Sequence, residues 1–511
     1  MSQKRSIARS TLFVLVANGV SSVLGLLRGF YTARLLSPGD YGAWTLISSL
    51  LSYTNYADVG INTGFILEAP RLIGRGHLEQ AQHVQQQVYT ITLLICGTLA
   101  GFGMAIAFLP LPFTASQMAS LRIVASAVLI LALLNYYHVV ARIQDRFDLI
   151  SLSTVVAAAV ATAGIVAVAT MARSVPVELV ALTAVLGSGA AALSLGIGTR
   201  PALAWPPDGD LLRRLIRLGL PVSLLPIAFT LFQSVDRWVV AMLAPAEDMG
   251  HYGLGTTLGL FLYMVPSTLA IVLFTRQIER FGATNDPRAL EPLVSLPMRL
   301  SGYIMGLVAG SVALAMPFII YYVVPAYWPG RRAAVMQLIG NCLLFAVPVG
   351  SHFLISSGRQ HQVFGALAAG LVFESGLVAV LVQTGWRIDG AAFAVMVSDA
   401  MYSGFVIFLT VRLFVDGFKQ RLGRVLSCFA PFAVCLSVTA SLGMADSLSG
   451  DAWNDLVGLA VRIVIYFVTC GSLLLAMAWR SGLLQESFIV DRATLWMPSL
   501  TRLLNEKEKR S

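Results

Sequence analysis

The residues of this chain that could do chemistry are charged side chains set inside long apolar runs. Arg28, in Leu24-Gly25-Leu26-Leu27-Arg28-Gly29-Phe30, is the first of them. It lies about five residues past the middle of its run, roughly 7 Å off-centre at about 1.5 Å per helical residue. A lone arginine at that depth in hydrocarbon costs about 2.5 kcal/mol or more, so it requires an anionic partner or water. A guanidinium meets a phosphate through two parallel hydrogen bonds, which makes Arg28 a candidate phosphate-binding cation. The alternative is an internal ion pair, for instance with Asp236 at similar depth in another run.

Polar residues at helical spacing accompany these charges. The first run carries Asn18, Ser21, Ser22, Gly25, Arg28 and Thr32, and the second Ser48, Ser52, Asn55, Asp58 and Asn62. The seventh carries Ser223, Thr230, Gln233, Asp236 and Arg237, and the eighth Thr256, Tyr263 and Ser267. On helices each set falls on one side, and turning that side to lipid is unfavourable, so the sets predict a water-accessible seam. Arg28, Asn18, Asn55, Gln233 and Arg237 are the candidate substrate-binding residues. Asp236 and Arg237 are neighbours pointing about 100° apart, a poor geometry for a mutual pair. Asp236 reads as an acceptor for other helices or as a proton site, and Arg237 as a site residue or a side chain reaching the outer interface. Glu374 and Asp399, single acids in two further runs, join Asp58 and Asp236 as candidates for ion coupling or for structural hydrogen bonding. Arg34, Arg122 and Arg462 stand near run ends, where long side chains snorkel to the interface.

Several chemistries are excluded or lack residues. No Gly-Lys-Ser/Thr phosphate loop occurs, and loops of the inner side are too short for a nucleotide-binding domain. The outer loops, the longest about 444–455, leave no room for a hydrolase or polymerase site. The five cysteines (Cys96, Cys342, Cys428, Cys435, Cys470) and six histidines show no metal spacing. Neither a metal nor a cofactor is expected, and the chain reads as a non-enzyme.

The elements that must position these residues follow from composition. The chain has 511 residues, 57% hydrophobic and only 12% charged, where soluble domains average about 45–50% and about 25%. Its solvent is therefore mostly lipid, and a spanning helix needs roughly 20 apolar residues. Fourteen spans are predicted: about 11–35, 41–65, 88–109, 118–141, 149–172, 178–198, 218–243, 251–275, 299–324, 333–356, 362–383, 390–411, 425–443 and 456–479. The runs are continuously apolar without a period of two, which favours helices over a barrel. With the N-terminus inside, 26 of the 35 lysines and arginines fall in inner loops and termini, and only Arg173, Arg331, Arg332 and Arg387 outside. Both termini are thus expected in the cytoplasm. The net charge of +9 is a topology signal and implies no nucleic acid. The first run is too long for the apolar part of a cleavable signal peptide.

The chain also contains an echo of itself. Leu36-Ser37-Pro38-Gly39-Asp40-Tyr41-Gly42 returns as Leu243-Ala244-Pro245-Ala246-Glu247-Asp248 with Tyr252-Gly253, and Arg71-Leu72-Ile73-Gly74-Arg75-Gly76 as Arg276-Gln277-Ile278-Glu279-Arg280-Phe281-Gly282. An offset of about six spans preserves orientation, so the repeat is parallel. The predicted architecture is all-α: two pseudo-symmetric six-helix bundles around a central cavity, plus two extra helices. The boundaries are 1–198 for the first bundle, 199–217 for a cytoplasmic linker, 218–415 for the second bundle, 425–479 for the extra helices and 480–511 for a cytoplasmic tail. The linker ends in Leu211-Leu212-Arg213-Arg214-Leu215-Ile216-Arg217, read as an interfacial helix. A second such helix is a reading of 483–504.

The motif around Arg28, Leu36 to Trp44, Ala57-Asp58-Val59-Gly60-Ile61-Asn62, Gly219-Leu220-Pro221 and Ser234-Val235-Asp236-Arg237 together resemble the Wzx-type polysaccharide-unit flippases of the multidrug/oligosaccharidyl-lipid/polysaccharide exporter superfamily, over roughly residues 10–415. The resemblance implies a bacterial inner-membrane protein that moves an oligosaccharide on undecaprenyl pyrophosphate to the outer leaflet for O-antigen or exopolysaccharide synthesis. Its partners would be that polyprenyl diphosphate, membrane lipids and other polysaccharide-assembly proteins. In lipid II flippases of the superfamily, cavity arginines face the pyrophosphate, and Arg28 sits in a similar Leu-Gly-x-x-Arg pattern. Those proteins continue with Asp, whereas Gly29 follows here, which argues against lipid II itself. The competing reading on the same fold is a cation- or drug-extruding antiporter.

Overall fold

The structure, a computed structural model, describes residues 2–109, 115–171, 175–284, 286–442 and 450–480. All regular structure among these residues is helical, as required of backbone that must satisfy its own hydrogen bonds in hydrocarbon. The helices are α1 (Ser2–Leu35), α2 (Pro38–Thr54), α3 (Ile61–Gly74), α4 (Leu78–Ile106), α5 (Ala115–Ile143), α6 (Phe147–Met171), α7 (Val177–Thr199), α8 (Gly209–Phe232) and α9 (Val235–Leu243). The second half continues with α10 (Ala246–Thr284), α11 (Glu291–Val323), α12 (Arg331–Leu343), α13 (Val347–Ser356), α14 (Gln360–Leu381), α15 (Arg387–Val411), α16 (Phe418–Ser441) and α17 (Ala452–Arg480). Ten helical runs among the described residues are long and apolar enough to cross a membrane, and one of them, Gln360–Val411, holds both α14 and α15. The chain is a multi-pass membrane protein, and every predicted span falls on a helix or on a broken pair of helices.

Three predicted spans are broken, which continuous apolarity did not foretell. The second divides into α2 and α3. Val59 (φ 51°) and Gly60 (φ 82°) take left-handed conformations there, and the Asp58 carboxylate caps α3 by accepting from the amides of Asn62 at 2.8 Å and Gly60 at 3.4 Å. The seventh divides into α8 and α9 at Gln233 and Ser234, where the Ser234 hydroxyl bonds back to the Thr230 carbonyl at 2.6 Å. The tenth divides into α12 and α13 across a tight turn, Leu344–Ala346, ahead of Pro348, which lacks the amide needed to continue a helix.

The outer turn Ser37-Pro38-Gly39-Asp40 is a helix start: Ser37 Oγ accepts from the Asp40 amide at 3.2 Å, with Pro38 in the first turn. Residues 209–217 form the opening turns of α8. Asp208 caps them by accepting from the Asp210 and Leu211 amides at 2.9 and 3.0 Å. Leu211 and Leu215 are buried, while Arg213, Arg214 and Arg217 are exposed. Upstream, residues 204–208 are strapped to α4. Gln87 donates to the Pro206 carbonyl and accepts from the Asp208 amide, and Thr90 Oγ1 accepts from the Ala204 amide, each at 3.0 Å.

Helices α4 to α7 pack together with α1 against α6, and α10 to α15 form the second group. The groups meet along α2 against α10 and α3 against α8. The extra pair, α16 and α17, packs on α11. There the buried Tyr466 donates to the Gly306 and Leu307 carbonyls at 3.2 and 3.1 Å. The five cysteines are free and buried. The expected tail lies outside the described residues beyond Arg480, as does the proposed helix within it.

Candidate functional site

The seam between the halves is tied across its middle, at the level of the two helix breaks. Tyr53 in α2 is hydrogen-bonded to Ser234 and accepts from Trp238 Nε1 at 3.0 Å. The Tyr56 and Thr230 hydroxyls lie 3.0 Å apart. Buried Arg237 donates to Ser49 Oγ at 2.7 Å and to the Gln233 carbonyl at 2.6 Å. Its Nε stands 3.9 Å from Asp236 Oδ1, a long contact, as expected of neighbours on a helix. Arg237 therefore bridges α9 to α2 and does not extend to the outer interface.

Arg28 lines a cavity of about 200 Å³ inside the first group of helices. Ser21 and Gly25 of α1, Thr154 and Thr162 of α6 and Ser188 of α7 surround it, with alanines between them. Small side chains on α6 and α7 leave the space, and hydroxyls make it polar. Ser21 Oγ donates to the Thr154 carbonyl at 3.2 Å. No hydrogen bond or ion pair from Arg28 occurs among the described residues. An internal pair with Asp236 is therefore absent, since Asp236 lies at a different cavity with partners of its own.

That second cavity, about 30 Å³, lies where α8 and α9 meet α10, α12, α14 and α15. It is large enough for a water molecule. Gln233, Asp236, Thr256, Gln337, Asn341, Glu374 and Asp399 line it. Tyr252 donates to Asp236 Oδ2 at 2.6 Å, and Thr256 donates to Gln337 Oε1 at 3.3 Å. Among the described residues, Gln233 Nε2, Asp236 Oδ1, Gln337 Nε2 and Glu374 Oε2 are buried without a hydrogen bond. Donors and acceptors thus converge on one small void, an arrangement able to hold water and pass a proton. Among the described residues, no group of His, Cys, Asp and Glu is arranged to hold a metal ion.

The structure thus gathers Asp236, Glu374, Asp399 and Gln233, and sets Arg28 apart from them. Asp58 caps α3. Asn55 ends α2, its Nδ2 donating to the Ser52 carbonyl at 3.1 Å, while its own carbonyl accepts from Asn135 at 2.9 Å. Asn18 lines neither cavity; its carbonyl accepts from Ser22 Oγ at 2.6 Å. Tyr252, Gln337 and Asn341 were missed in the sequence. Gln337 and Asn341 stand four apart in a predicted span, a polar pair on one helix face that spacing would have exposed.

Fold and cavities define a polytopic α-helical membrane protein with a closed polar interior. A chain of this shape resembles a structure of the lipid II flippase MurJ in an inward closed conformation (TM-score 0.68, 13% identity, covering 91% of this chain and 98% of that one). It also resembles an inward-facing multidrug resistance MATE family transporter of the MOP superfamily (TM-score 0.61, 14% identity, 81% and 98% covered). Comparison with curated protein sequences gives no match. The family model for polysaccharide biosynthesis proteins matches residues 32–326, and the chain belongs to that family. The resemblance drawn from the sequence motifs is borne out at the level of family and fold.

Proposed function

We infer that this protein is a flippase, moving oligosaccharide units on undecaprenyl pyrophosphate across the bacterial inner membrane by alternating access, with both termini cytoplasmic. The observation that carries the reading is Arg28: a cation deep in a spanning helix, without an anionic partner among the described residues, facing a polar cavity of about 200 Å³. Membership of a polysaccharide biosynthesis family supports a glycan-linked substrate, and the likeness to a lipid II flippase supports a lipid-linked one. A diphosphate fits a space of that size and an oligosaccharide does not, so the sugars occupy the seam between bundles 1–198 and 218–415 once it opens. The polyprenyl chain stays in the bilayer, among membrane lipids. Sugars are too polar to cross hydrocarbon unaided, and carrying them breaks no covalent bond, so the role is transport without catalysis. Other polysaccharide-assembly proteins would take up the product on the far side.

Ion coupling is assigned to Asp236, Glu374 and Asp399. A proton suits this group, because its carboxylates converge with Gln233 and Gln337 on one small void. A drug- or cation-extruding antiporter is the second reading, favoured by the likeness to multidrug transporters; an unpaired arginine in the cavity repels cationic drugs.

The test is leaflet-specific accessibility of lipid-linked oligosaccharide in cells depleted of the protein. Inner-leaflet accumulation, rescued by the wild type and not by Arg28→Ala, is expected. Normal outer-leaflet appearance without the protein would overturn the flippase reading, and drug susceptibility would then be measured.

A further inference from the structure

The seam between the halves is shut at both ends in the same structure, and at each end by glycine against backbone. Toward the arginine-rich face, α3 and α8 touch so closely that a Cβ on Gly219 would overlap the Gly60 carbonyl oxygen and the Gly64 amide nitrogen. A Cβ on Gly64 would likewise overlap the Leu215 carbonyl oxygen. Toward the opposite face, α2 and α10 meet in the same way. A Cβ on Gly250 would overlap the Pro38 carbonyl oxygen, and one on Gly253 would overlap Thr45 Oγ1. Backbone cannot rotate aside as a side chain does, so the contacts of Gly64, Gly219 and Gly250 with opposing backbone exist only while those three residues are glycine.

Each contact joins elements that are also tied to a further helix. Beyond the inner contact, residues 204–208 are pinned to α4, giving α8 a fixed pivot. Beside the outer contact, Arg387 of α15 grips Asp248 of α10 with two hydrogen bonds of 3.0 and 2.9 Å, so α10 follows α15 when α2 parts from it. Between the two contacts, Arg237, Tyr53 and Ser234 link the helices by side-chain hydrogen bonds, which can be exchanged for water.

We propose that the Gly60/Gly64–Gly219 contact and the Pro38/Thr45–Gly250/Gly253 contact are two gates of equal construction, one at each face, and that the structure is the occluded state in which both are closed. The proposal rests on the alternating-access reading above, but concerns the protein's own conformations, independent of what it carries. Side chains added at one gate hold that gate open and bias the protein toward the opposite sidedness from side chains added at the other.

The experiment uses the full chain with Ser52→Cys as reporter, a half-buried position of α2 between the gates, in cells and in inverted membrane vesicles. The native cysteines are buried and leave a low background for a membrane-impermeant maleimide. Gly219→Val is expected to raise labelling from the arginine-rich side and lower it from the other. Gly250→Val is expected to do the reverse, each shifting the ratio by about tenfold, equivalent to about 1.4 kcal/mol between the two states. Shifts in the same direction, or none at wild-type protein amounts, would overturn the proposal. Where a valine variant does not accumulate, Thr63→Cys with Ser223→Cys decides instead, because those hydroxyls lie 2.8 Å apart across the inner gate. Oxidation should then cut labelling from the arginine-rich side about tenfold, and unchanged labelling would equally overturn it. Since labelling reads the accessibility of Ser52→Cys and not the movement of any lipid, failure of this test and failure of the flipping test are separate results.

Discussion

The Tyr252 hydroxyl donates a 2.6 Å hydrogen bond to Asp236, tying α10 to the first turn of α9. The other carboxylate oxygen of Asp236 is buried without a hydrogen bond. Among the described residues, one phenol thus supplies the only side-chain hydrogen bond to a buried acid at the point where the seventh span breaks. Tyr252→Phe removes it and leaves the acid unsatisfied, at an expected cost of about 1–3 kcal/mol. Thermal unfolding in detergent measures this, and a wild-type midpoint would contradict it.

Arg237 offers a second handle on the same junction. Arg237→Ala deletes the bonds to Ser49 and to the Gln233 carbonyl and leaves Asp236 without its neighbouring cation. Breaking a buried charge pair from one side costs about 3–5 kcal/mol. The double variant with Asp236→Asn should recover part of that loss, so the pair is non-additive in a double-mutant cycle. Simple addition of the two single effects would show that the charges are not coupled.

Arg28 should behave in the opposite way. It makes no ion pair or hydrogen bond with described protein groups, so Arg28→Ala is expected to leave the unfolding midpoint unchanged or raised, while transport is lost. Arg28→Lys should restore transport only in part, because an ammonium cannot meet a phosphate through two parallel bonds. A large loss of stability in Arg28→Ala would return this arginine to a structural role.

Tyr466 is one buried side chain that holds the appended helices to α11. Tyr466→Phe removes two hydrogen bonds to the Gly306 and Leu307 carbonyls, at about 1 kcal/mol. Gly310→Ala should cost more, since its Cβ would overlap the Tyr466 hydroxyl. Limited proteolysis between α16 and α17, read beside thermal unfolding, distinguishes loosening of this pair from loss of the whole fold.

Apolar run length was enough to place the helices, because lipid demands it of any spanning segment. The breaks were hidden for the same reason: a run that pauses at Gly60 or Ser234 stays apolar on average, and only capping by Asp58 and back-bonding by Ser234 reveal the pause. Polar spacing found Asp236 and Gln233 but could not tell which acids share a cavity, since Glu374 and Asp399 come from separate helices more than a hundred residues downstream. It also left Arg28 free to pair with Asp236, a question of distance between helices that no spacing within a helix can answer. The repeat motif Ser37-Pro38-Gly39-Asp40 was legible as a pattern, while its physical content, a capped helix start whose Pro38 carbonyl abuts Gly250, belongs to three dimensions.

The strap of residues 204–208 onto α4 changes what kind of joint connects the two halves. Nine residues between α7 and α8 would, if slack, act as a leash, letting the halves drift apart by its full length. Pinned by Gln87 and Thr90, they act as an axle. At the arginine-rich face α8 can swing about Asp208 but not slide away, so the width of any opening there is governed by an angle. Lengthening the peptide ahead of residue 204 would not widen such a doorway.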